Sequence, residues 1–282
     1  MMAVSGESAR LWSVPHFNNL RLMRATYITY AFSRHVHDYF AIGVIEQGVQ
    51  TFSYRHERHI TRPHGLFIVN PDEPHDGEAA TEAGFTYRVI YPEADVMQQV
   101  ASAIRGRDGS GVPFFSAAVI DDPVLYQAFR RTHAALEDET SALEQHSRLL
   151  LLLGALITRH ADSRFHARTL GRERREIERA RHYLDAHYAE DVTLAELGQV
   201  AGLSPYYLVR VFHHEVGLPP HAYLASVRVR RAQDLLAAGA PIVDVAYATG
   251  FSSQSHLTNT FKRFIGVTPN QYAHQRKILQ DL

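Results

Sequence analysis

The strongest constraint on this 282-residue chain is a repeat inside its C-terminal third. The segment Leu194-Ala-Glu-Leu-Gly-Gln-Val-Ala-Gly-Leu-Ser204 aligns with Ile242-Val-Asp-Val-Ala-Tyr-Ala-Thr-Gly-Phe-Ser252 at an offset of 48, pairing Leu194, Leu197, Gly202 and Ser204 with Ile242, Val245, Gly250 and Ser252. After one extra residue the offset becomes 49, and Leu208, Phe212, Gly217, Pro220 and Tyr223 meet Leu257, Phe261, Gly266, Pro269 and Tyr272. Self-similarity of this kind means that one supersecondary unit is built twice. Each copy reads as a short helix, a tight turn and a second helix. Thr193 and Glu196 form a capping-box pattern, and Gly239 with Pro241 is the stop-and-restart signal before the second copy. Leu194, Leu197, Val200 and Ala201 mark one helical face, Gly202 permits the left-handed backbone of the turn, and Ser204 can cap the next helix. Leu208, Val211 and Phe212 then lie on the buried side, as do Leu257, Phe261 and Phe264 in the second copy.

The faces left over point outward. They carry Tyr206, Tyr207, Arg210, His213 and His214 in the first copy, and Gln254, Ser255, His256, Asn259, Lys262 and Arg263 in the second. Arginine can bond a guanine edge with two parallel hydrogen bonds, asparagine or glutamine an adenine edge, and a further cation can neutralise phosphate, so this is an inventory for reading a DNA major groove. One such helix alone would be better read as a solvated polar face; the duplication favours groove reading. A helical stretch from about His221 to Ala238 separates the copies, with Leu224, Val227, Leu235 and Leu236 inward and Arg228, Arg230 and Arg231 mostly outward. A spacer that held the two outer helices ~34 Å apart would let them enter successive major grooves. Its arginines either meet phosphates or pair with nearby carboxylates. Charge agrees in sign: residues 168–282 hold 14 Lys and Arg against 11 Asp and Glu, a net of +3, and the remainder holds 15 against 19, a net of −4.

These residues resemble the AraC/XylS family of bacterial transcription regulators over about residues 176 to 275. The stretch from Gly250-Phe251 through Leu257, Phe261, Phe264 and Gly266 to Pro269 is similar to the family's signature almost from end to end. The resemblance implies base contacts from Tyr206 and Arg210 in the first copy and from Ser255, His256 and Asn259 in the second. The family often carries a long basic side chain where Asn259 stands, and adenine is the partner asparagine suits.

From Tyr27 to Tyr91 the pattern changes to short strands with turn signals between them. Val44-Ile45 ends at Gly48, Gln50-Thr-Phe52-Ser-Tyr54 alternates with period two, Leu66-Phe-Ile-Val69 is a continuous apolar run, and Phe85, Tyr87, Val89 and Tyr91 share one face. So many short strands in ~65 residues predict a barrel or double-sheet jelly roll. Residues 121 to 160 turn helical, with Pro123 near a helix start and Leu143, Leu150, Leu153 and Ile157 on a stripe. Here the chain resembles the cupin-like sensor domains that precede the DNA-binding module in many AraC/XylS members. His35-Val-His37-Asp38 looks like a first cupin motif, and Gly65, Pro71 and His75 look like a degenerate second one. Three imidazoles are a possible donor set for a divalent metal. Metal-binding cupins, however, place a glutamate shortly after the paired histidines, where this chain has Ala41, so pocket-lining or structural histidines are the favoured reading. His35, His37, Tyr39, Tyr54 and His75 are the pocket candidates.

The expected fold is therefore α+β in two domains: a cupin-like β-barrel (jelly roll) with two following helices over residues 1–161, a linker over 162–175, and an all-α module over 176–282 with helix-turn-helix units at 193–216 and 241–265. The expected function is a sequence-specific DNA-binding transcriptional regulator controlled by a small-molecule effector in the barrel. The alternative is a metal-dependent cupin enzyme with an accessory helical domain, against which the missing glutamate already counts. No cofactor other than the effector is expected. The stripe over Ser141 to His160 is read as a homodimer contact, the competing reading being packing against the barrel, and an activator would further meet RNA polymerase. The composition, with 45% hydrophobic and 21% charged residues, is that of a folded globular protein. The absence of cysteine excludes disulfides and thiolate chemistry. The start MMAVSGESARLW lacks a signal-type apolar core, and the run Leu149 to Leu153 is far short of the ~18 residues of a membrane span, so no membrane association and a cytoplasmic location are expected.

Overall fold

The computed structural model describes residues 6–105, 111–138, 141–162 and 173–273. Contacts divide the chain into two units, Met1–Thr140 with Arg148–Thr169 and Ser141–Ser147 with Leu170–Leu282. The expected linker at 162–175 lies mostly outside the described residues.

Among the described residues the first unit has ten strands: β1 (Ser8–Val14), β2 (Leu20–Tyr27), β3 (Phe32–His35), β4 (Ala41–Gly48), β5 (Gln50–Tyr54), β6 (Glu57–Thr61), β7 (Leu66–Val69), β8 (His75–Ala79), β9 (Phe85–Tyr91) and β10 (Val119–Ile120). They form a six-stranded sheet in the order β1-β2-β9-β4-β7-β10 and a four-stranded sheet in the order β3-β8-β5-β6, with antiparallel pairing between neighbours. This is the double-sheet arrangement that the alternating runs predict. Side chains alternate across each strand. Phe52, Tyr54, Phe67, Val69, Phe85, Tyr87 and Val89 thus meet in one buried cluster between the sheets. The continuous run in β7 is buried at all four positions, as befits a strand covered on both faces. Strands β1 and β2 precede the region where strands were expected.

Among the described residues three α-helices lie in this part of the chain: α1 (Ala94–Arg105), α2 (Pro123–Glu137) and α3 (Ala142–His160). The last two were expected. Helix α1 was not, although Met97, Val100, Ala101 and Ile104, its buried residues, carry the i, i+3, i+4, i+7 pattern of one face. Asp122 caps α2 by accepting the Leu125 amide at 3.0 Å, with Pro123 in the first turn. Helix α2 is fastened to the larger sheet by a buried polar group. The Arg88 guanidinium meets Glu46 and Glu137 at 3.0 Å each, and His133 lies edge-on to Trp12 with ring centroids 5.2 Å apart. Burial beside Arg88 pushes His133 down to about 4, so it is neutral at pH 7 and its Nδ1 can accept from Arg88 at 3.0 Å. On α3, Leu143, Leu153 and Ile157 are buried and Leu150 is half-buried.

The second unit is helical: α4 (Arg174–Ala186), α5 (Leu194–Ala201), α6 (Pro205–Val216), α7 (Pro220–Ala237), α8 (Ile242–Ala248) and α9 (Gln254–Ile265). The pairs α5–α6 and α8–α9 are the two copies of the repeat. The capping box of α5 forms, with the Thr193 side chain on the Glu196 amide and Glu196 returning to the Thr193 amide. Both turns place glycine in the left-handed region, Gly202 at φ +72 and Gly250 at φ +78. At Gly250 space is lacking as well, since a Cβ would sit 2.8 Å from the Ala189 carbonyl oxygen.

Two expectations are corrected here. Arg228 is not outward but only 7% exposed, because its Nε and Nη2 donate to the carbonyls of Tyr188 and Glu190 at 2.7 and 2.8 Å, holding the turn between α4 and α5. Phe264 is not core but 39% exposed, because the cluster of Val229, Leu236, Val245, Phe251, Leu257 and Phe261 closes one turn before it.

Candidate nucleic-acid interface and effector cavity

Helix α9 has a clean division of faces. Leu257, Thr260 and Phe261 are buried, while Gln254, Ser255, Asn259, Lys262 and Arg263 are exposed. Ser255, Asn259 and Lys262 fall at i, i+4 and i+7 and so share one outward stripe. Ser253 caps the helix by accepting the His256 amide at 3.1 Å. The cap residue is therefore one position beyond the repeat partner of Ser204, which locates the extra residue of the second copy in its turn. His256 is only half outward. Its ring stands edge-on to Phe251 at 5.1 Å, Ser252 Oγ meets its Nδ1 at 3.1 Å, and burial lowers its pKa.

Helix α6 differs. Tyr206 and Tyr207, expected outward, are 6% and 7% exposed. The Tyr207 hydroxyl donates to Glu173 at 2.7 Å. Large amphipathic rings gain by covering apolar neighbours while the phenol finds a partner, and that outweighs solvent exposure of the hydroxyl. Neither tyrosine presents an open base-reading surface. Arg210 is half-buried, its guanidinium carbon 5.7 Å from the Tyr206 ring centroid, and among the described residues its Nη1 has no hydrogen-bond partner. His213 and His214 are exposed near the end of the helix.

In the first unit a cavity of about 260 Å³ opens between the sheets. Its wall includes four of the five pocket candidates, His35, His37, Tyr39 and His75. The fifth, Tyr54, is corrected: it is 1% exposed and its hydroxyl accepts from Asn70 Nδ2 at 2.8 Å, so it belongs to the core. Strand register explains the convergence of the histidines. His35 stands opposite His75 in the β3–β8 ladder, and His37, two residues on, keeps the same parity. The Asp72 amide donates to the His37 carbonyl at 2.8 Å, tying the segment after β3 to the turn before β8. One ring nitrogen from each histidine lies within 4.8 Å of the others. The Nδ1 atoms are engaged with backbone carbonyls, His35 with Ser33 at 2.8 Å, His37 with Tyr39 at 2.7 Å and His75 with Glu73 at 2.9 Å. Burial pushes His75 down to about 4 and lowers His37, so both are neutral at pH 7.

Other wall residues had not been singled out. Arg21 of β2 lies over the Tyr39 ring at 3.9 Å and pairs with Glu93 at 3.4 Å. Gln50 is 6% exposed, and its Oε1 has no hydrogen-bond partner among the described residues. Tyr87 and Tyr91 complete an aromatic side on which burial raises both phenols. Gln50 was detectable, because it shares the parity of Phe52 in an alternating strand; Arg21 lies in a strand that the turn signals did not reveal.

Comparison with known proteins agrees with this layout. A family model for the AraC-like ligand binding domain matches residues 17–153, and a helix-turn-helix domain model matches residues 197–275. The HTH-type transcriptional regulator YbfI of Bacillus subtilis (strain 168) is 33% identical over 255 residues, 90% of this chain and 91% of that protein. The probable transcriptional regulator LumQ of Photobacterium leiognathi is 34% identical over 91 residues, 32% of this chain and 37% of that protein. Among solved structures, the DNA-binding domain of AdpA in complex with a target DNA aligns over 38% of this chain and 96% of that chain, with 25% identity and a TM-score of 0.36.

Proposed function

The chain belongs to the AraC family of DNA-binding transcriptional regulators, and from that premise we propose that its sequence readout is led by α9, with Ser255 and Asn259 toward base edges and Gln254, Lys262 and Arg263 at their margins and on phosphate. It is a regulator with an N-terminal ligand-binding domain rather than an enzyme. The observation that carries the proposal is the exposed stripe of α9, on which hydrogen-bonding and cationic groups stand clear of the buried Leu257, Thr260 and Phe261. Helix α6 contributes Arg210 and His213, and His256 contributes through the edge of its ring that Phe251 leaves open. Tyr206 and Tyr207, with their rings buried, serve as packing residues of α6 rather than as base contacts. The cavity lined by His35, His37, Tyr39 and His75 takes the small-molecule effector, an assignment supported by its polar groups in an otherwise apolar wall.

The regulator acts as a homodimer in the cytoplasm and, as an activator, meets RNA polymerase. What supports the dimer is α3, where Leu150, Leu151 and Ala155 remain half-exposed beside the buried Leu153 and Ile157. No helix among the described residues is long and apolar enough to cross a membrane. Selection of bound duplexes from a random pool tests the whole reading. Two half-sites about one helical turn apart are expected if both outer helices enter successive major grooves, and recovery of no preferred sequence would overturn it.

A further inference from the structure

We propose that Glu173 is a specificity determinant of the half-site read by α6: its carboxylate lies against that helix and competes with DNA for Arg210. This deepens the proposed function and rests on α6 being one of the two reading helices. Glu173 is the N-cap residue of α4, a position from which a side-chain oxygen ordinarily turns to the first free amides of its own helix. Here it makes no such bond. It turns to α6 instead, where its Oε1 accepts the Tyr207 hydroxyl at 2.7 Å. The next residue, Arg174, reaches the same helix roughly two turns further on, with Nε 3.8 Å from Glu215. The start of α4 therefore lies along the side of α6 that runs from Tyr207 to Glu215, and Arg210, at i+3 from Tyr207, falls between the two contacts.

Two complementary groups are left unsatisfied by this arrangement. Glu173 Oε2 and Arg210 Nη1 are both buried, and among the described residues neither has a hydrogen-bond partner, so they are not bonded to each other. A buried carboxylate oxygen and a buried guanidinium nitrogen have each given up solvent without a replacement, which is unfavourable for both. Two remedies exist, and they exclude each other. Arg210 can swing onto Glu173, or it can swing outward to a guanine edge, which offers its fork two acceptors. The first removes the arginine from base readout; the second leaves the carboxylate unpaired beside a duplex of like charge. In either case the acid weakens the first copy of the repeat and not the second, where Ser255 and Asn259 of α9 are exposed. Anything that draws the start of α4 away from α6 frees Arg210 and Tyr207 together.

The test is equilibrium binding of the full chain to the duplex selected from the random pool and to its single-base variants. It compares the parent with Glu173→Gln, which keeps an acceptor for Tyr207, Glu173→Ala, which does not, Arg210→Ala, and Glu173→Gln combined with Arg210→Ala. Both Glu173 variants are expected to bind the selected duplex about fivefold more tightly or better, at unchanged far-UV circular dichroism, and to discriminate more sharply at the base pair that responds to Arg210→Ala. The gain should vanish when Arg210 is also replaced. A gain that survives in the combined variant overturns the proposal, because it shows only that a negative charge has left the neighbourhood of DNA. So does unaltered affinity. Weaker binding with blurred preference at that base pair overturns it as well, by showing that Glu173 aligns Arg210 for readout instead of holding it back. A pool that yields no preferred duplex overturns the regulator's readout itself, whereas each of the other outcomes leaves that reading standing.

Discussion

The two copies of the repeat have the same backbone and different surfaces. Both turn on a left-handed glycine, Gly202 and Gly250, and both second helices end on another, Gly217 and Gly266. Both bury the same side, Leu208 and Phe212 in one and Leu257 and Phe261 in the other. At the start of the second helix the copies part: α6 has Tyr206 and Tyr207 where α9 has Ser255 and His256. The two tyrosines are buried and leave Arg210 half-covered, whereas the small serine leaves Asn259 in the open. Helical periodicity therefore settles which side faces the core, and side-chain size at two positions settles how much of the other side is free to meet DNA.

The largest effect expected is on the common scaffold of the copies. Arg228→Ala leaves two carbonyls of the 188–190 turn without their charged donor and should lower unfolding free energy by about 3 kcal/mol, measured by urea denaturation of the full chain. A loss below about 1 kcal/mol would mean that the turn holds itself. Next comes base readout. Asn259→Ala should weaken binding by about 1 to 3 kcal/mol at one base pair, and Arg210→Ala should do less in the absence of effector; equal losses in competition with single-base variants would show that α6 reads as fully as α9. Smaller again is Tyr207→Phe, which removes the bond to Glu173 and should cost about 1 kcal/mol of stability, with no change in base preference if the ring is structural. Lys262→Ala should reduce affinity evenly across sequences and lower the salt slope by about one, read from binding isotherms at several salt concentrations.

The smallest effect separates the copies by pH. His256 has its pKa lowered by burial, so the unfolded chain binds its proton more readily than the folded one. The stability it contributes is present above the ordinary histidine value and is lost as pH falls toward its folded value. His256→Gln should therefore flatten part of the decline in melting temperature between pH 7 and pH 5; a parallel curve would show that the imidazole is as well solvated folded as unfolded.

Much of this was legible in the residues. The capping box at Thr193, the glycine turns and the 3.6-residue spacing of Leu208, Val211 and Phe212 are local rules, and each formed as a local rule requires. The histidine set was legible through the resemblance to cupin motifs, whereas the register that sets His35 opposite His75 came only with the fold. Less legible were the features decided by competition for burial. Tyr54 and Tyr207 have the same amphipathic chemistry as Tyr39, yet the first two are core residues and the third lines a cavity. Arg228 is one of three arginines on α7, and only it reaches the carbonyls of the turn.

Sequence alone thus determined the repeat, its turns and the main core positions Leu208, Phe212, Leu257 and Phe261, since periodicity and capping act over a few residues. Tertiary structure alone decided which polar side chains remain available, because availability depends on what the rest of the chain brings alongside. A guanidinium, a phenol or an imidazole takes whichever partner arrives, and the order of residues does not name it.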